Sequence, residues 1–139
     1  MGSGSKGPVD GEFFAERYRS ERSRMARRIE RRALGHDVGL NGYTTVDEAQ
    51  ALVECLELSP DQCLLDLGAG RGWPGLHIAR TSGCRVITTD VPLEALVEAR
   101  RTMIDSAHHP HNEVLAADGT ALPFPARFFD GITHADVLC

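Results

Sequence analysis

No apolar run in this 139-residue chain approaches the roughly 20 residues that a helix needs to cross a bilayer. Residues 1–8 hold a single lysine with no apolar segment behind it, so they predict a flexible leader and not a secretory signal. The chain also lacks a C-x-x-C pair, and three of its four scattered cysteines fall in expected core elements, where cysteine acts as a small hydrophobe. These absences predict a cytoplasmic protein with reduced cysteines and no membrane segment.

Clustered metal ligands are missing as well. His108, His109 and His111 flank Pro110 in an expected surface loop, but no cysteine or carboxylate cluster stands near them at metal-ligand spacing. A solvated loop explains these histidines better than a metal site does. The sequence has no internal repeat, and its length is that of one domain at most. We therefore expect one core and no bound metal.

Net positive charge is confined to the start of the chain. Residues 1–42 carry a net charge of +3, whereas residues 43–139 carry −8. The arginines between residues 17 and 32 alternate with glutamates on a segment without proline or glycine, which predicts a basic helix after the leader. We interpret it as a solvated helix that docks on the main domain, residues 43–139, through Phe13, Phe14, Tyr18, Met25 and Ile29. Nucleic-acid binding is the lesser alternative, because the whole domain is acidic.

The rest of the chain alternates between helix and strand signals. Thr45 and Glu48 fit a capping box that starts a helix running to about Leu58. Short apolar runs indicate buried strands at 63–67, 85–90, 113–117 and 129–135. The helix after Pro92 is expected to turn Glu94 and Glu98 outward and to bury a stripe made of Leu93, Leu96, Val97, Met103 and Ile104. This alternation predicts an α/β fold with a doubly wound parallel sheet.

A glycine-rich turn, residues 68–72, follows the first strand, and Asp66 stands just before the turn. Glycine lets the backbone take positive φ and lets a ligand approach main-chain atoms closely. Two further acids stand at the next strand ends, since Asp90 closes the second strand and Asp118 closes the third. Strand ends lie side by side in a parallel sheet, so Asp90 can accept from ribose hydroxyls and Asp118 from an exocyclic amine. The pattern predicts a nucleotide-cofactor site.

The order and spacing of these three motifs resemble those of class I S-adenosylmethionine-dependent methyltransferases of the small-molecule type, from about Tyr43 to the end of the chain. The resemblance implies a Rossmann-like sheet, S-adenosylmethionine as the cofactor and a small-molecule methyl acceptor. It implies that the methionine end of the cofactor contacts Asp66, Gly68, Ala69, Gly70 and Gly72. It further implies that Asp90 binds the ribose hydroxyls and that the adenine contacts Val91, Asp118, Gly119 and Thr120.

Four further side chains stand near the motifs. Tyr43 either covers the cofactor, as the resemblance implies, or packs on the rim of the sheet. His134 follows the fourth strand, so the resemblance implies that it lies near the sulfonium, where a histidine can act as a base for a hydroxyl or protonated amine. Trp73 and His77 face either the pocket or the neighbouring helix.

A nicotinamide or flavin site is the main alternative for the glycine turn. Residues 70–75 satisfy the G-x-G-x-x-G template of dinucleotide-binding domains, with Asp90 beyond them. That template does not use Asp66, however, and the bulky side chain of Trp73 would crowd a pyrophosphate. The resemblance to methyltransferases is therefore preferred.

The resemblance also implies missing strands, because the family's sheet has seven and this chain stops at Cys139, after the fourth. The fourth strand would then be an exposed apolar edge, which natural proteins usually cover or break with charge. We expect a fragment of a methyltransferase, a sheet completed by a second chain, or a noncatalytic cofactor-binding module.

Overall fold

The computed structural model describes residues 16, 18, 24–34, 43–105 and 110–137. Expectations for the leader, for Phe13 and Phe14, for His108 and His109 and for Cys139 lie outside these residues. The helices are α1 (Arg24–Leu34), α2 (Val46–Leu56), α3 (Gly75–Ser82) and α4 (Leu93–Asp105). The strands are β1 (Cys63–Leu67), β2 (Arg85–Asp90), β3 (Glu113–Ala116) and β4 (Gly131–Thr133).

The four strands form one parallel sheet in the order β3-β2-β1-β4. The chain moves outward from β1 through β2 to β3 and then returns to pair β4 with the other side of β1. Both β1 and β2 are buried along most of their length, as continuous apolar strands of a parallel sheet should be. The predicted α/β parallel sheet is thus confirmed, and the reversal between β1 and β4 is the type of switch point where such sheets bind ligands.

One hydrophobic core joins the helices to a single face of the sheet. Leu64 of β1 and Val86 of β2 are paired in register and fully buried, and they pack with side chains of α3 and α4. The apolar side of α2 covers the same cluster through Leu52, Val53 and Leu56. The capping box of α2 is present as predicted, because Thr45 N–H donates to Glu48 and Glu48 N–H donates to Thr45 Oγ1.

The predicted stripe of α4 is partly wrong. Leu96 and Met103 are buried, but Leu93, Val97 and Ile104 are at least half exposed. The helix instead buries the small side chains of Ala95 and Ala99, which let it approach the sheet closely. Glu98 does not simply face solvent, because it forms an ion pair of 2.6 Å with the buried guanidinium of Arg71.

The predicted docking of the basic helix is also wrong for two of its residues. Met25 and Ile29 of α1 are exposed, whereas Glu30 on the same helix is buried. Tyr18 does approach the main domain, since its ring centroid lies 5.3 Å from the guanidinium carbon of Arg71. The side chain that α1 buries is therefore the polar Glu30 and neither of the two predicted apolar ones, and the arginines of α1 remain exposed as expected.

Gly75, the first residue of α3, lies directly against β1. A Cβ atom at this position would be 2.5 Å from the Cβ of Asp66 and closer still to its carboxylate. A rotamer change of Asp66 cannot relieve this clash, because rotation of the side chain does not move the Asp66 Cβ atom. Helix α3 can pack this closely on β1 only because residue 75 has no side chain.

We therefore predict that Gly75→Ala lowers the free energy of unfolding by about 3 kcal/mol, because α3 must move away from β1. Gly131→Ala is the matched control, since its Cβ would meet Leu56 and Leu58 at an ordinary 3.4 Å. Urea unfolding monitored by circular dichroism measures both variants. Equal stability of the two would contradict the proposed packing constraint.

Candidate cofactor site

The carboxyl ends of β1, β2 and β3 meet at one edge of the sheet. Leu67 pairs with Thr89, and Asp90 pairs with Ala116, so the three strands end at nearly the same level. The loops after β1 and β3 are each hydrogen-bonded to the end of β2, because Ala69 N–H donates to Thr89 O and Ala117 N–H donates to Asp90 O, both at 3.0 Å. The acids proposed from the sequence are thereby brought to a single edge.

The glycine turn depends on backbone conformations that side chains rarely adopt. Gly68 and Gly72 have φ values of +66° and +95°. A Cβ on Gly72 would lie 2.5 Å from Leu76 Cδ1, and one on Gly68 would lie 2.6 Å from Val137 Cγ2. The turn is therefore enclosed by α3 on one side and by the segment after β4 on the other, and only glycine fits these two positions.

Asp90 holds the glycine turn against the end of β2. Its Oδ2 accepts a hydrogen bond of 2.7 Å from Gly70 N–H, and its Oδ1 accepts one of 2.7 Å from Val91 N–H. The carboxylate is only half buried, and Val91 beside it is exposed. Each oxygen keeps a lone pair for a further donor, such as a ribose hydroxyl. The turn and the predicted ribose-binding acid thus form one rim.

Asp66 lies beneath the turn and is 1% exposed. Its Oδ2 accepts a hydrogen bond of 3.1 Å from Gly75 N–H, but its Oδ1 has no hydrogen-bond partner among the described residues. Burial raises the pKa of this carboxyl to about 7, the Gly75 amide opposes that rise, and the charge of Asp90 adds to it. Asp66 is thus a buried acid with one unsatisfied oxygen, and its contact with the methionine end of the cofactor stays a prediction.

The loop after β3 carries the third acid. Asp118 is exposed, and its Oδ1 accepts from the backbone N–H and the hydroxyl of Thr120, both at 2.8 Å. The backbone bond and then the hydroxyl bond hold the pKa of Asp118 below its ordinary value. A Cβ on Gly119 would lie 3.2 Å from Leu67 Cδ1, so this loop leans towards the end of β1. Asp118, Gly119 and Thr120 therefore border the glycine turn.

Thr44 connects the segment before α2 with the segment after β4 and with Trp73, which follows the glycine turn. No sequence motif indicated these contacts. The N–H and Oγ1 of Thr44 donate to Asp136 Oδ2 at 3.1 and 2.9 Å, and its carbonyl accepts from Trp73 Nε1 at 2.9 Å. Trp73 thus faces the segment before α2, and its ring also contacts that of His77. Thr44 and Asp136 are 92 residues apart, so no local pattern could have paired them.

Two predicted site residues are exposed at this edge. Tyr43 is 87% exposed, so the alternative that it packs on the rim of the sheet is wrong. His134 follows β4 directly and is also exposed. Both remain predictions as ligand contacts, because exposure leaves their side chains available without fixing what they touch.

Within the ranges described above, no three histidine, cysteine or acidic side chains are grouped so that they could hold a metal ion. The same part of the chain contains no helix long and apolar enough to cross a membrane. The described cysteines Cys55, Cys63 and Cys84 are free thiols.

The sequence profile of the methyltransferase domain family matches residues 64–139, which is more than half of the chain and includes the glycine turn, Asp90 and Asp118. This chain belongs to that family. The resemblance to class I S-adenosylmethionine-dependent methyltransferases is therefore confirmed, and with it S-adenosylmethionine as the cofactor of the fold.

Curated relatives match the chain over part of their length. The glycine/sarcosine/dimethylglycine N-methyltransferase of Actinopolyspora halophila is 29% identical over 73% of this chain and 20% of its own. The protein-L-isoaspartate O-methyltransferase of Rhodopseudomonas palustris is 30% identical over 58% of this chain and 37% of its own. The chain thus spans between a fifth and two fifths of the length of these relatives.

Solved structures share the fold at low sequence identity. The S-adenosylmethionine-dependent methyltransferase of Thiobacillus denitrificans matches with a TM-score of 0.53 and 21% identity, over 66% of this chain and 36% of its own. That of Geobacter sulfurreducens gives a TM-score of 0.52 and 21% identity, over 58% and 32%. Both were solved in complex with S-adenosyl-L-homocysteine. The Rossmann-like fold of class I methyltransferases is thereby confirmed.

The buried Asp66 carboxyl predicts an unusual pH dependence of stability. Its pKa rises from the ordinary 3.8 to about 7 on folding, so the folded state holds a proton that the unfolded state has lost between these values. Its contribution to stability is therefore fully present below about pH 4, falls as the pH rises to about 7, and stays constant above that.

We expect Asp66→Asn to abolish this loss of stability between pH 4 and 7, because the amide can keep the hydrogen bond from Gly75 N–H and carries no charge. The stability of the variant relative to the wild type should rise by a few kcal/mol from pH 4.5 to about 7.5, as measured by urea unfolding. Asp61→Asn is the control, since that exposed carboxyl has a lowered pKa and acts only at lower pH. A constant difference between wild type and Asp66→Asn across this range would contradict the assignment.

Proposed function

We propose that the chain binds S-adenosylmethionine through its glycine turn and forms the cofactor half of an enzyme that methylates a small molecule. The observation that carries the proposal is the hydrogen bond between Gly70 N–H and Asp90, because it joins the turn and the ribose-binding acid into one cradle. The relatives that match the chain are named as N- and O-methyltransferases, which supports methyl transfer and leaves the acceptor open.

The fit of the cofactor rests on the chemistry of the described residues. The turn from Gly68 to Gly72 presents backbone at the edge of the sheet, and Asp66 beneath it supplies a carboxyl oxygen without a described partner. A methionine moiety carries an ammonium group, which suits an acidic floor of this kind. The half-buried Asp90 suits two ribose hydroxyls, and the loop from Asp118 to Thr120 with Val91 suits the adenine ring.

The geometry of α3 argues against a dinucleotide at the same turn. Pyrophosphate binding needs free amides at the start of the helix that follows the glycines. Here Gly75 N–H donates to Asp66, Leu76 N–H donates to Gly72 O and Ile78 N–H donates to Pro74 O. Since these amides face inward and a carboxyl group occupies the first of them, a second anion would be repelled.

S-adenosylmethionine supplies an electrophilic methyl group on a sulfonium when it is bound. The task of the protein is then to fix the position of the acceptor and exclude water, since in-line displacement gains most from near-attack geometry. Tyr43, which is exposed and precedes α2, is proposed to cover the cofactor. We assign His134 the role of base where the acceptor is a hydroxyl or protonated amine, because it follows β4 at this same edge.

The open side of β4 supports a proposal about completion of the sheet. β4 pairs only with β1 among the described residues, and its Ile132 is exposed. Exposed apolar edge strands are usually covered. We propose that further polypeptide, from the same protein or a second chain, covers β4 and supplies much of the acceptor site.

We also propose that the protein acts in the cytoplasm, where its free thiols stay reduced.

Ligand titration separates the two cofactor classes. We expect S-adenosylhomocysteine at 100 times its dissociation constant to raise the free energy of unfolding by about 2.7 kcal/mol and so to raise the melting temperature, whereas NAD should change neither. Differential scanning fluorimetry measures both. Stabilisation by NAD alone would overturn the proposal.

The role of Asp90 predicts a selective loss of affinity. We expect Asp90→Asn to weaken S-adenosylhomocysteine binding by about tenfold or more in isothermal titration calorimetry, because a neutral amide is a poorer acceptor for two hydroxyl groups. Asp105→Asn, which removes an equal charge from the exposed end of α4, should bind normally. Equal affinities of the two variants would mean that Asp90 serves only to hold the turn.

A further inference from the structure

The glycine turn contains a single long side chain. Three of its five residues are glycines and Ala69 carries only a methyl group, so Arg71 alone can tether the turn through its side chain. Gly68, Gly70 and Gly72 all have positive φ. Because glycine leaves the backbone wide conformational freedom, a turn of this composition keeps one conformation only where other contacts restrict it.

The side chain of Arg71 is directed into the protein, where it meets α4. It is 7% exposed, and its Nε lies 2.6 Å from Oε2 of Glu98, on the second turn of that helix. Gly72, the next residue of the turn, lies against the same part of α4, since a Cβ atom on it would be 3.5 Å from the Cβ of Ala99. Breaking an ion pair with a buried partner is costly, so this pair holds the turn against α4.

A second contact of Arg71 comes from the residues before α1. Its guanidinium carbon lies 5.3 Å from the ring centroid of Tyr18, which is within the range of a cation–π interaction. The ring and the carboxylate of Glu98 together limit where the guanidinium can move. Arg71 thus joins the glycine turn to two other parts of the chain.

Arg71 is also adjacent to the proposed ribose-binding acid. Gly70 N–H donates to Asp90 Oδ2 at 2.7 Å, and Gly72 N–H donates to Ala69 O at 2.8 Å. Arg71 stands between these two hydrogen bonds, so a movement of its backbone would disturb both. Since α4 directly follows β2, the turn is attached twice to the same unit, once through Gly70 and once through Arg71.

We propose that Arg71 is a positioning residue for the cofactor, because its ion pair with Glu98 holds the glycine turn in the conformation that binds S-adenosylmethionine. The inference rests on the proposed function, since it takes the turn to be the cofactor cradle. Arg71 acts here through the backbone of the turn and needs no contact with the cofactor. A turn that is already ordered binds its ligand without a further loss of conformational entropy, so loss of the ion pair weakens cofactor binding.

The test is calorimetric titration of the full chain with S-adenosylhomocysteine. We expect Arg71→Met, which removes the charge and keeps the apolar stem, to weaken binding by about tenfold, and the milder Glu98→Gln by about fivefold. Arg71→Lys, which keeps a charge within reach of Glu98, should bind within about threefold of the wild type. The double variant should bind as Arg71→Met does, because both substitutions break one contact.

Arg85 provides a matched control at the opposite edge of the sheet. It also forms an ion pair with a glutamate, Glu113, at 3.0 Å, and its guanidinium carbon also lies near a ring, 5.9 Å from the centroid of Phe128. It is the first residue of β2, whereas the cofactor edge is at the other end of that strand. Arg85→Met and Glu113→Gln should therefore leave the affinity unchanged, and urea unfolding of every variant separates a loss of stability from a loss of affinity.

Amide hydrogen exchange without ligand measures the turn directly. We expect the amides of Gly70 and Gly72 to exchange about tenfold faster in Arg71→Met than in the wild type, because the turn opens locally. The amides of the buried strand residues Leu65 and Ile87 should be accelerated much less. A purely structural role of Arg71 would instead accelerate all four amides by the same factor.

Three results would overturn the inference. Wild-type affinity of Arg71→Met would show that the ion pair does not serve the cofactor, and an equal loss in Arg85→Met would show a general effect of charge. Equal acceleration of exchange in the turn and in the strands would assign Arg71 to the stability of the whole fold. Failure of S-adenosylhomocysteine to bind the wild type would refute the proposed function instead, and hydrogen exchange without ligand would still decide whether Arg71 holds the turn.

Discussion

The close contact between Asp66 and Gly75 is the constraint on which the rest of the site depends. It places the start of α3 on β1, which forces the intervening residues to leave the sheet as a tight turn and return within eight positions. The turn can follow that path only with positive φ at several glycines. Asp90 then fixes the outer side of the turn through Gly70. A packing contact thereby determines where the backbone is open to a ligand.

The same contact has an electrostatic consequence. A carboxyl group that meets a helix at this distance is removed from water, and one amide does not compensate for the lost hydration. In the absence of a ligand, ionisation of Asp66 therefore lowers the stability of the folded state. A cationic group bound next to Asp66 would favour the ionised form, so under the proposed function we expect cofactor binding and the ionisation of Asp66 to be linked. The first strand of the sheet would then contribute a buried group to the proposed site.

The sequence predicted the central sheet well and the contacts between elements poorly. The bounds of β1 and β2 were correct because their apolar and β-branched runs lie close to turn-forming residues, with Asp61 and Gly68 around β1 and Gly83 and Pro92 around β2. The predicted apolar stripe of α4 was partly wrong because the prediction favoured the larger hydrophobic residues Leu93, Val97 and Ile104. The structure buries Ala95 and Ala99 instead, since their small side chains let the helix pack closer to the sheet. The ion pair of Arg71 with Glu98 depends on tertiary packing that no local spacing encodes.

The contact between Thr44 and Asp136 shows why this part of the sheet edge could not be predicted from motifs. It joins the first turn before α2 to the segment after β4, and it exists only because β4 returns to the opposite side of β1 from β2. The strand order thus brings the segments before α2 and after β4 together at one edge of the sheet. Since Thr44 also accepts a hydrogen bond from Trp73, next to the glycine turn, a movement of Asp136 would act on the turn through a single residue. The segments before α2 and after β4 are therefore coupled to the glycine turn by the topology of the sheet itself.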